Sequence, residues 1–330
     1  FKIFTVFNNI FHIFKSILIT VALMAFFGLR PESASAVDKI IYGEDNRFDL
    51  IHSPLPLFND LARSTAAMVK KERLSSSEYD ILSPVMRMTK NIKPLKKALN
   101  LCNDEKFSDQ PHLSHCSGFL VGDDILVTAG HCVSNRMANA CEDFYWVFDY
   151  KVNDESDPFD INFPEENVYG CKEVLSSKFE PWNPGKTDYA IVKLDRPVLG
   201  RTPLKLRESG EIQVGEPLVL IGHPWGLPTK VSHNAEVLKN DGLTWFMANL
   251  DSFEGNSGSA VFNELTGEVE GILVRGKPDS VGQYLPEVGF CKTLNYCHED
   301  GTNCNTHDRI DGEHVTKVSV FRDDLKKYLK

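Results

Sequence analysis

The chain has 330 residues, a formal net charge of −10, 42% hydrophobic residues and 25% charged residues. This length is enough to bury a large core, and the balance is typical of a folded globular protein. The acidic charge argues against a nucleic-acid partner, because binding to phosphates needs a basic surface.

Residues 1–36 have the pattern of a signal peptide rather than of a folded element. Lys2 and Lys15 precede an apolar run over residues 17–29, and residues 34–36 (ASA) supply the small side chains that a signal peptidase needs. The run is short for a membrane span. We therefore expect a secreted or periplasmic protein without stable membrane insertion after signal removal. An uncleaved membrane anchor is the alternative.

Residues 37–111 are predicted to form an N-terminal arm and extension that joins a first barrel. Within it, the Pro-rich residues 50–61 are expected to be extended, residues 64–69 to form a strand, and the charged residues 71–111 to be partly helical. The main domain is placed at residues 112–330.

From Gly118 onward the pattern changes to short apolar runs separated by turns. Residues 119–121 and 125–128 flank a Gly-Asp-Asp turn and predict a hairpin. Further strands are predicted at 144–149, 187–194, 217–222, 244–250, 259–263 and 269–275, which favours a barrel or a sandwich. The spacing of apolar residues over 318–330 predicts a terminal amphipathic helix.

The chain contains eight cysteines, and an even number in an exported protein predicts disulfides. No two of them have the C-x-x-C spacing of a zinc site. We expect neither a metal nor a cofactor.

Ser257 lies in the run Gly-Asn-Ser-Gly-Ser over residues 255–259. A nucleophilic serine needs a tight backbone turn, and Gly255 allows the main chain to approach a substrate closely. The N–H groups of Gly255 and Ser257 are then candidates for an oxyanion hole. A Gly/Ser turn between strands is the alternative interpretation.

His131 and Asp188 complete a candidate triad. His131 follows an apolar strand and a glycine, and Asp188 opens the apolar run 189–194. A carboxylate in that position can orient an imidazole, which in turn takes a proton from a serine. Asp143 and Asp149 satisfy the same chain order, but neither opens such a run. The order His, Asp, Ser predicts a serine peptidase.

These runs resemble the chymotrypsin-like (trypsin-like) serine peptidases, in particular the bacterial glutamyl-endopeptidase-like branch. The resemblance rests on residues 116–121 (CSGFLV), 128–132 (TAGHC), 188–194 (DYAIVKL), 222–228 (GHPWGLP), 255–261 (GNSGSAV) and 271–276 (GILVRG). It implies an all-β double β-barrel with a C-terminal helix and an N-terminal extension, and a serine endopeptidase acting on proteins or peptides. It also implies a Cys116–Cys132 disulfide. Cys141–Cys171 is a further expected pair, and the other four cysteines are left unassigned.

The resemblance also suggests a specificity. It places the base of the primary pocket six residues before the serine, at Asp251, where a carboxylate favours Lys or Arg before the cut. Glu254 is expected near the cleft, and Val274 and Gly276 on the strand that pairs with substrate. The alternative is a loop-capping Asp251. Cleavage after Glu is a further alternative. The glutamyl endopeptidases carry a pocket histidine at the position of Leu273, and its absence here argues against that specificity.

Two features of the sequence concern activation, a departure at Asn256 and a resemblance at residues 40–43. Asn256 stands where animal trypsins carry the aspartate that pairs with a freed N-terminus, so activation of that kind is not expected. A cut near residues 37–40 remains an option, because residues 40–43 (IIYG) resemble an activated N-terminus.

Two other functions compete with an active peptidase. One is an inactive peptidase homologue that acts as a binding protein, although all three triad residues are present. The other is an esterase, but the G-x-S-x-G pattern of α/β-hydrolases does not surround Ser257. The sequence does not predict an oligomeric state.

Overall fold

The computed structural model describes residues 40–76, 85–102, 105–134, 139–180, 187–304 and 312–329. The predicted signal peptide lies outside them. The strands are β1 (Ile41–Tyr42), β2 (Arg47–Asp49), β3 (Thr65–Lys70), β4 (Leu74–Ser76), β5 (Val85–Met88), β6 (Cys116–Leu120), β7 (Ile125–Thr128), β8 (Phe144–Phe148), β9 (Asn162–Pro164), β10 (Val168–Phe179), β11 (Asp188–Leu194), β12 (Pro217–Gly222), β13 (Lys230–Lys239), β14 (Trp245–Ala248), β15 (Ala260–Asn263), β16 (Val269–Arg275), β17 (Ser280–Leu285), β18 (Gly289–Leu294), β19 (Tyr296–Cys297) and β20 (Glu313–Lys317).

Helices are few and short in the described part of the chain. They are α1 (Pro56–Ala62), α2 (Leu95–Leu99), α3 (Gly130–Val133), α4 (Ala140–Asp143) and α5 (Val318–Leu325), with 3-10 turns at Leu50–His52, Lys71–Arg73, Glu165–Asn167 and Pro224–Gly226. None of the helices in these residues is long and apolar enough to cross a membrane.

The first barrel is closed by six strands in the order β10-β11-β7-β6-β3-β8. Along β8, Trp146 and Phe148 belong to the main core cluster, whereas Val147 belongs to a second cluster with Tyr150 and Phe163. Successive side chains of a strand point to opposite faces. Both faces of β8 are therefore buried, which explains why its sequence is apolar throughout instead of alternating.

The second barrel closes in the same way. Its strands follow the order β12-β15-β16-β20-β14-β13, and a pairing of β12 with β13 completes the ring. Its interior is filled by apolar side chains such as Leu220, Val237, Phe246 and Leu273. The two closed barrels confirm the double β-barrel expected from the resemblance.

The strand predictions after residue 140 are confirmed, with ends that differ by at most two residues, and β6 and β7 form the predicted hairpin. The C-terminal helix is also present, but α5 ends at Leu325 rather than continuing to the chain end. It buries Val318, Phe321 and Leu325.

The prediction of an extended segment over residues 50–61 is wrong. That segment contains a 3-10 turn and most of α1, with Pro56 at the first helical position. Proline is tolerated there because the first N–H groups of a helix have no partner within the helix and its φ already suits a helix. Within residues 71–111, the described residues (71–76, 85–102 and 105–111) contain one α-helix, α2, together with a 3-10 turn and strands β4 and β5.

The chain before residue 112 contributes to both barrels. Strand β3 lies between β6 and β8 in the first barrel, whereas β2 adds to β13 at the second. The region predicted as an arm thus carries one barrel strand and one edge strand.

Lys230, the first residue of β13, joins the second barrel to this region. Its ammonium is buried and donates to Asp49 Oδ1 at 2.6 Å, to Gln110 Oε1 at 2.7 Å and to the Pro228 carbonyl at 2.9 Å. Burial lowers the pKa of Lys230 to about 8, and the Asp49 carboxylate opposes that shift. The buried pair therefore ties β2 to β13.

We predict that Lys230→Ala lowers the free energy of unfolding by about 3–5 kcal/mol, because it leaves the Asp49 carboxylate buried without this cation. The matched control is Lys239→Ala in the same strand, whose exposed pair with Asp241 is 3.1 Å long. That change should cost less than about 1 kcal/mol. Urea unfolding of both variants provides the measurement, and equal losses would contradict the assignment.

Candidate active site

The imidazole of His131 is held by Asp188. His131 Nδ1 lies 2.8 Å from Asp188 Oδ2, and the His131 backbone N–H donates to Oδ1 at 3.1 Å. The aspartate, at the start of β11, is buried, whereas the imidazole is partly exposed. A neutral imidazole bonded to a carboxylate through Nδ1 carries its proton there and leaves Nε2 as an acceptor.

Gly130 allows the segment that carries His131 to lie close to strand β10. His131 follows Gly130 at the start of α3, immediately after β7. A Cβ at Gly130 would overlap the backbone carbonyl of Lys178, on β10. Only a residue without a side chain lets α3 pack this closely against the neighbouring strands.

Ser257 lies between two glycines in left-handed conformations. Gly255 has φ of +93° and Gly258 has φ of +90°, values that side chains disfavour. A Cβ at Gly255 would meet the His223 carbonyl, and one at Gly258 would meet the Ser117 carbonyl. Both positions therefore require glycine, because their positive φ values disfavour a side chain and because a Cβ atom would overlap a neighbouring carbonyl group.

The Ser257 loop (residues 251–258) is bonded to the first barrel through Ser117. The Ser117 N–H donates to the Ser257 carbonyl at 2.8 Å, and Ser117 Oγ donates to the Gly255 carbonyl at 2.8 Å. Cys132 Sγ lies 3.7 Å from the Ser257 carbonyl oxygen. Because Cys132 follows His131 in the chain, the predicted triad lies at one junction between the barrels.

Sequence reasoning assigned no role to Ser117, although it lies within the CSGFLV motif. Its position beside a half-cystine was a local signal, but its bonds depend on a loop far along the chain.

All eight cysteines, each within the described ranges, are bonded. Cys116 pairs with Cys132 and Cys141 with Cys171, and the pairs that the sequence left open are Cys102–Cys291 and Cys297–Cys304. The sulfurs of Cys116 and Cys132 lie within 4.8 Å of a His131 ring nitrogen. A cysteine binds a metal ion as its thiolate, and because these two sulfurs are joined in a disulfide they offer no thiolate ligand.

Residues 116–272 match the model of a family described as "Trypsin-like peptidase domain". Over these residues, which make up just under half of the chain, the sequence is similar to the trypsin-like peptidases. The match begins at the half-cystine before His131 and includes all three residues of the candidate triad. No curated protein sequence matches the chain.

Solved structures of proteases are similar to this chain. A Glu endopeptidase is 14% identical, covering 88% of this chain and 100% of its own, with a TM-score of 0.47. The VesB protease of Vibrio cholerae is 14% identical, covering 86% of this chain and 67% of its own, with a TM-score of 0.48. A serine endoprotease from Yersinia pestis is 12% identical, covering 84% and 67%, with a TM-score of 0.46.

Both carboxylate oxygens of Asp251 accept hydrogen bonds from backbone N–H groups. Its Oδ1 accepts from the Tyr42 N–H at 2.7 Å, and its Oδ2 accepts from the Asn46 N–H at 2.8 Å. The Ser252 N–H donates to the Ile40 carbonyl at 3.0 Å. The prediction of Asp251 as pocket base is therefore corrected: both of its oxygens bind the N-terminal segment (residues 40–49).

The other three residues predicted to lie near the substrate differ in their exposure and in their contacts. Glu254 is exposed, and its N–H donates to Asp279 Oδ2 at 2.9 Å. Val274 is buried, so only its backbone suits pairing with a peptide. Gly276 lies against Glu313, because a Cβ added there would overlap the Glu313 carboxylate.

Asn256 is turned inward. It is buried, and its Oδ1 accepts from Ser259 Oγ at 3.3 Å. A neutral amide in this setting offers no charge for an N-terminal ammonium, in line with the departure from animal trypsins noted in the sequence.

Burial raises the pKa of the Asp251 carboxyl to about 7, against the opposing effect of the N–H groups of Tyr42 and Asn46. An aspartate in an unfolded chain has a pKa of about 3.9. The folded protein therefore binds this proton more tightly than the unfolded chain does. The resulting stabilisation is fully present below about pH 4 and is lost as the pH rises through about 7.

We predict that Asp251→Asn removes this pH dependence. The free energy of unfolding of the wild type, relative to the variant, should fall by a few kcal/mol between about pH 4 and pH 7.5. Denaturant unfolding across that range measures the difference. Asp241→Asn, at an exposed position, is the control and should run parallel to the wild type. If the stability of Asp251→Asn ran parallel to that of the wild type across this pH range, the pKa of the Asp251 carboxyl would not be raised in the folded protein.

Proposed function

We propose that the protein is an active, secreted serine endopeptidase in which Ser257 is the nucleophile, His131 the general base and Asp188 the residue that orients the imidazole. The observation that carries the proposal is the 2.8 Å contact between His131 Nδ1 and Asp188 Oδ2, at the junction to which the Ser257 loop is bonded. The similarity to the trypsin-like peptidases supports the same chemistry.

In this mechanism, Ser257 Oγ attacks the scissile carbonyl while His131 Nε2 accepts the hydroxyl proton. The Nδ1 proton stays on the imidazole, and the Asp188 carboxylate stabilises the imidazolium. The N–H groups of Gly255 and Ser257 bind the developing oxyanion. His131 then donates its proton to the leaving amine, and a water molecule releases the acyl group by the same steps in reverse.

Export is the proposed setting of this activity. The signal pattern of residues 1–36 supports it, as do the four disulfides, since such bonds persist in oxidising compartments. The proposed substrates are proteins or peptides with Lys or Arg before the cut, and the net charge of −10 favours basic substrates.

We predict that Ser257→Ala abolishes labelling by a small fluorophosphonate and lowers kcat by roughly a million-fold, leaving the rate that binding and the oxyanion hole supply. Mass spectrometry of the labelled peptide identifies the modified serine. The buried Ser259→Ala, two residues away, is the control and should keep the label. A label on any other serine would overturn the assignment.

We predict that Asp188→Asn lowers kcat on the order of 10⁴-fold near neutral pH, because an amide favours the wrong imidazole tautomer. Asp143, the rival aspartate, is exposed at the end of α4, so Asp143→Asn should retain wild-type kcat. Steady-state kinetics on a peptide substrate compares the two. The reverse pattern would exclude Asp188.

A further inference from the structure

The orientation of one peptide group decides whether Gly255 can take part in the proposed oxyanion hole. The Gly255 N–H belongs to the same peptide as the Glu254 carbonyl, and a trans peptide directs these two groups to opposite sides. The Glu254 carbonyl accepts the N–H of Trp225, in the 3-10 turn Pro224–Gly226. The Gly255 N–H therefore points away from that turn. Within the part of the chain that the structure describes it has no hydrogen-bond partner, so it is available to a substrate.

Trp225 holds this peptide from a backbone conformation that is unusual for a bulky residue. Its φ is +49° and its ψ is +32°, in the left-handed region. Such a conformation persists only where the surrounding contacts impose it. Besides the bond to Glu254, His112 Nδ1 donates to the Trp225 carbonyl at 2.6 Å, and the indole packs on the Phe253 ring with centroids 4.1 Å apart.

Asp279 ties the side chain of Trp225 to the same part of the Ser257 loop. Its Oδ2 accepts from Trp225 Nε1 and also from the Glu254 N–H, the latter at 2.9 Å. Both backbone groups of Glu254 are thus held, the N–H by Asp279 and the carbonyl by Trp225. Trp225 and Asp279 are buried, so these bonds form in a medium of low dielectric constant. The three residues form a closed ring of hydrogen bonds beside Gly255.

Rotation of the Glu254–Gly255 peptide by half a turn would break this ring. The Glu254 carbonyl would leave Trp225, and the Gly255 N–H would face the Trp225 N–H in its place. Gly255 packs directly against the turn, since a Cβ added to it would lie 3.2 Å from the Trp225 nitrogen. Two buried donors would then lack an acceptor, which is costly. The ring therefore disfavours the orientation in which the oxyanion hole loses one of its two donors.

We propose that Trp225 and Asp279 are positioning residues for the oxyanion hole, which hold the Glu254–Gly255 peptide so that the Gly255 N–H faces the scissile carbonyl. This rests on the proposed peptidase function and on its assignment of the Gly255 N–H to the hole. Both residues act through the backbone of Glu254 rather than on the substrate. Because the bond to the oxyanion strengthens as the carbonyl oxygen gains charge, its loss should raise the barrier of the chemical step.

The test compares kcat/KM for p-nitrophenyl acetate and for its counterpart with C=S in place of C=O. Sulfur is a weak hydrogen-bond acceptor, so the hole accelerates the oxygen ester more than the sulfur ester. Trp225→Phe deletes the indole N–H and keeps an aromatic ring beside Phe253. It should lower kcat/KM for the oxygen ester, and the oxygen-to-sulfur ratio with it, by about tenfold. A displaced Ser257 or His131 would slow both esters equally and leave the ratio unchanged.

Asp279→Ala and the double variant provide a second readout. Asp279→Ala frees the Glu254 N–H as well as the indole, so the ratio should fall further, by up to about a hundredfold. Once the carboxylate is absent the indole has lost its acceptor, so adding Trp225→Phe should cost little more. Independent structural damage at the two positions would instead multiply. If Asp279→Ala does not fold, the ratio in Trp225→Phe decides.

Trp245→Phe is the control, because it deletes an indole of the second barrel on β14, outside the ring, and should keep the wild-type ratio. Labelling of Ser257 by a fluorophosphonate separates this proposal from the function on which it rests. A wild type that takes no label would overturn both. A labelled wild type whose ratio is unchanged in Trp225→Phe would overturn only the role of Trp225 and Asp279. So would an equal fall in Trp245→Phe, or losses that multiply in the double variant.

Discussion

The site depends on the close contact between the Ser257 loop and strand β6. Two glycines with positive φ bend the loop, and their missing side chains make room for carbonyl groups of His223 and Ser117. Ser117 then binds the loop twice, through its N–H and its hydroxyl. Because His131 and Asp188 belong to the first barrel and Ser257 to the second, this contact sets the distance between the two parts of the proposed triad.

The N-terminal segment is part of the same construction. Its backbone satisfies the Asp251 carboxylate at the start of the Ser257 loop, and its Asp49 pairs with the buried Lys230 at the start of β13. Buried charges are costly unless they are paired or hydrogen-bonded. Residues that precede the first barrel in the chain therefore support the second barrel at β13, and they also hold the start of the loop that carries Ser257.

The region before residue 112 shows where sequence reasoning failed. The Pro-rich residues 50–61 were expected to be extended, yet Pro56 begins a helix. Proline is compatible with both conformations, and packing decides between them: Phe58 and Leu61 of that helix lie in the main core. The strands of the barrels were easier to predict, because apolar runs bounded by turns carry their own signal along the chain.

By itself, the sequence determined the order and the local settings of His131, Asp188 and Ser257, since glycines and apolar strands adjacent to each residue shape the backbone there. Resemblance added the double barrel and the Cys116–Cys132 bond. Only the tertiary structure decided which way Asp251 faces and that Glu313 lies against Gly276. Those contacts join the segments near residues 42, 251, 276 and 313. Their meeting depends on the register of strands far apart in the chain, and no short motif encodes that register.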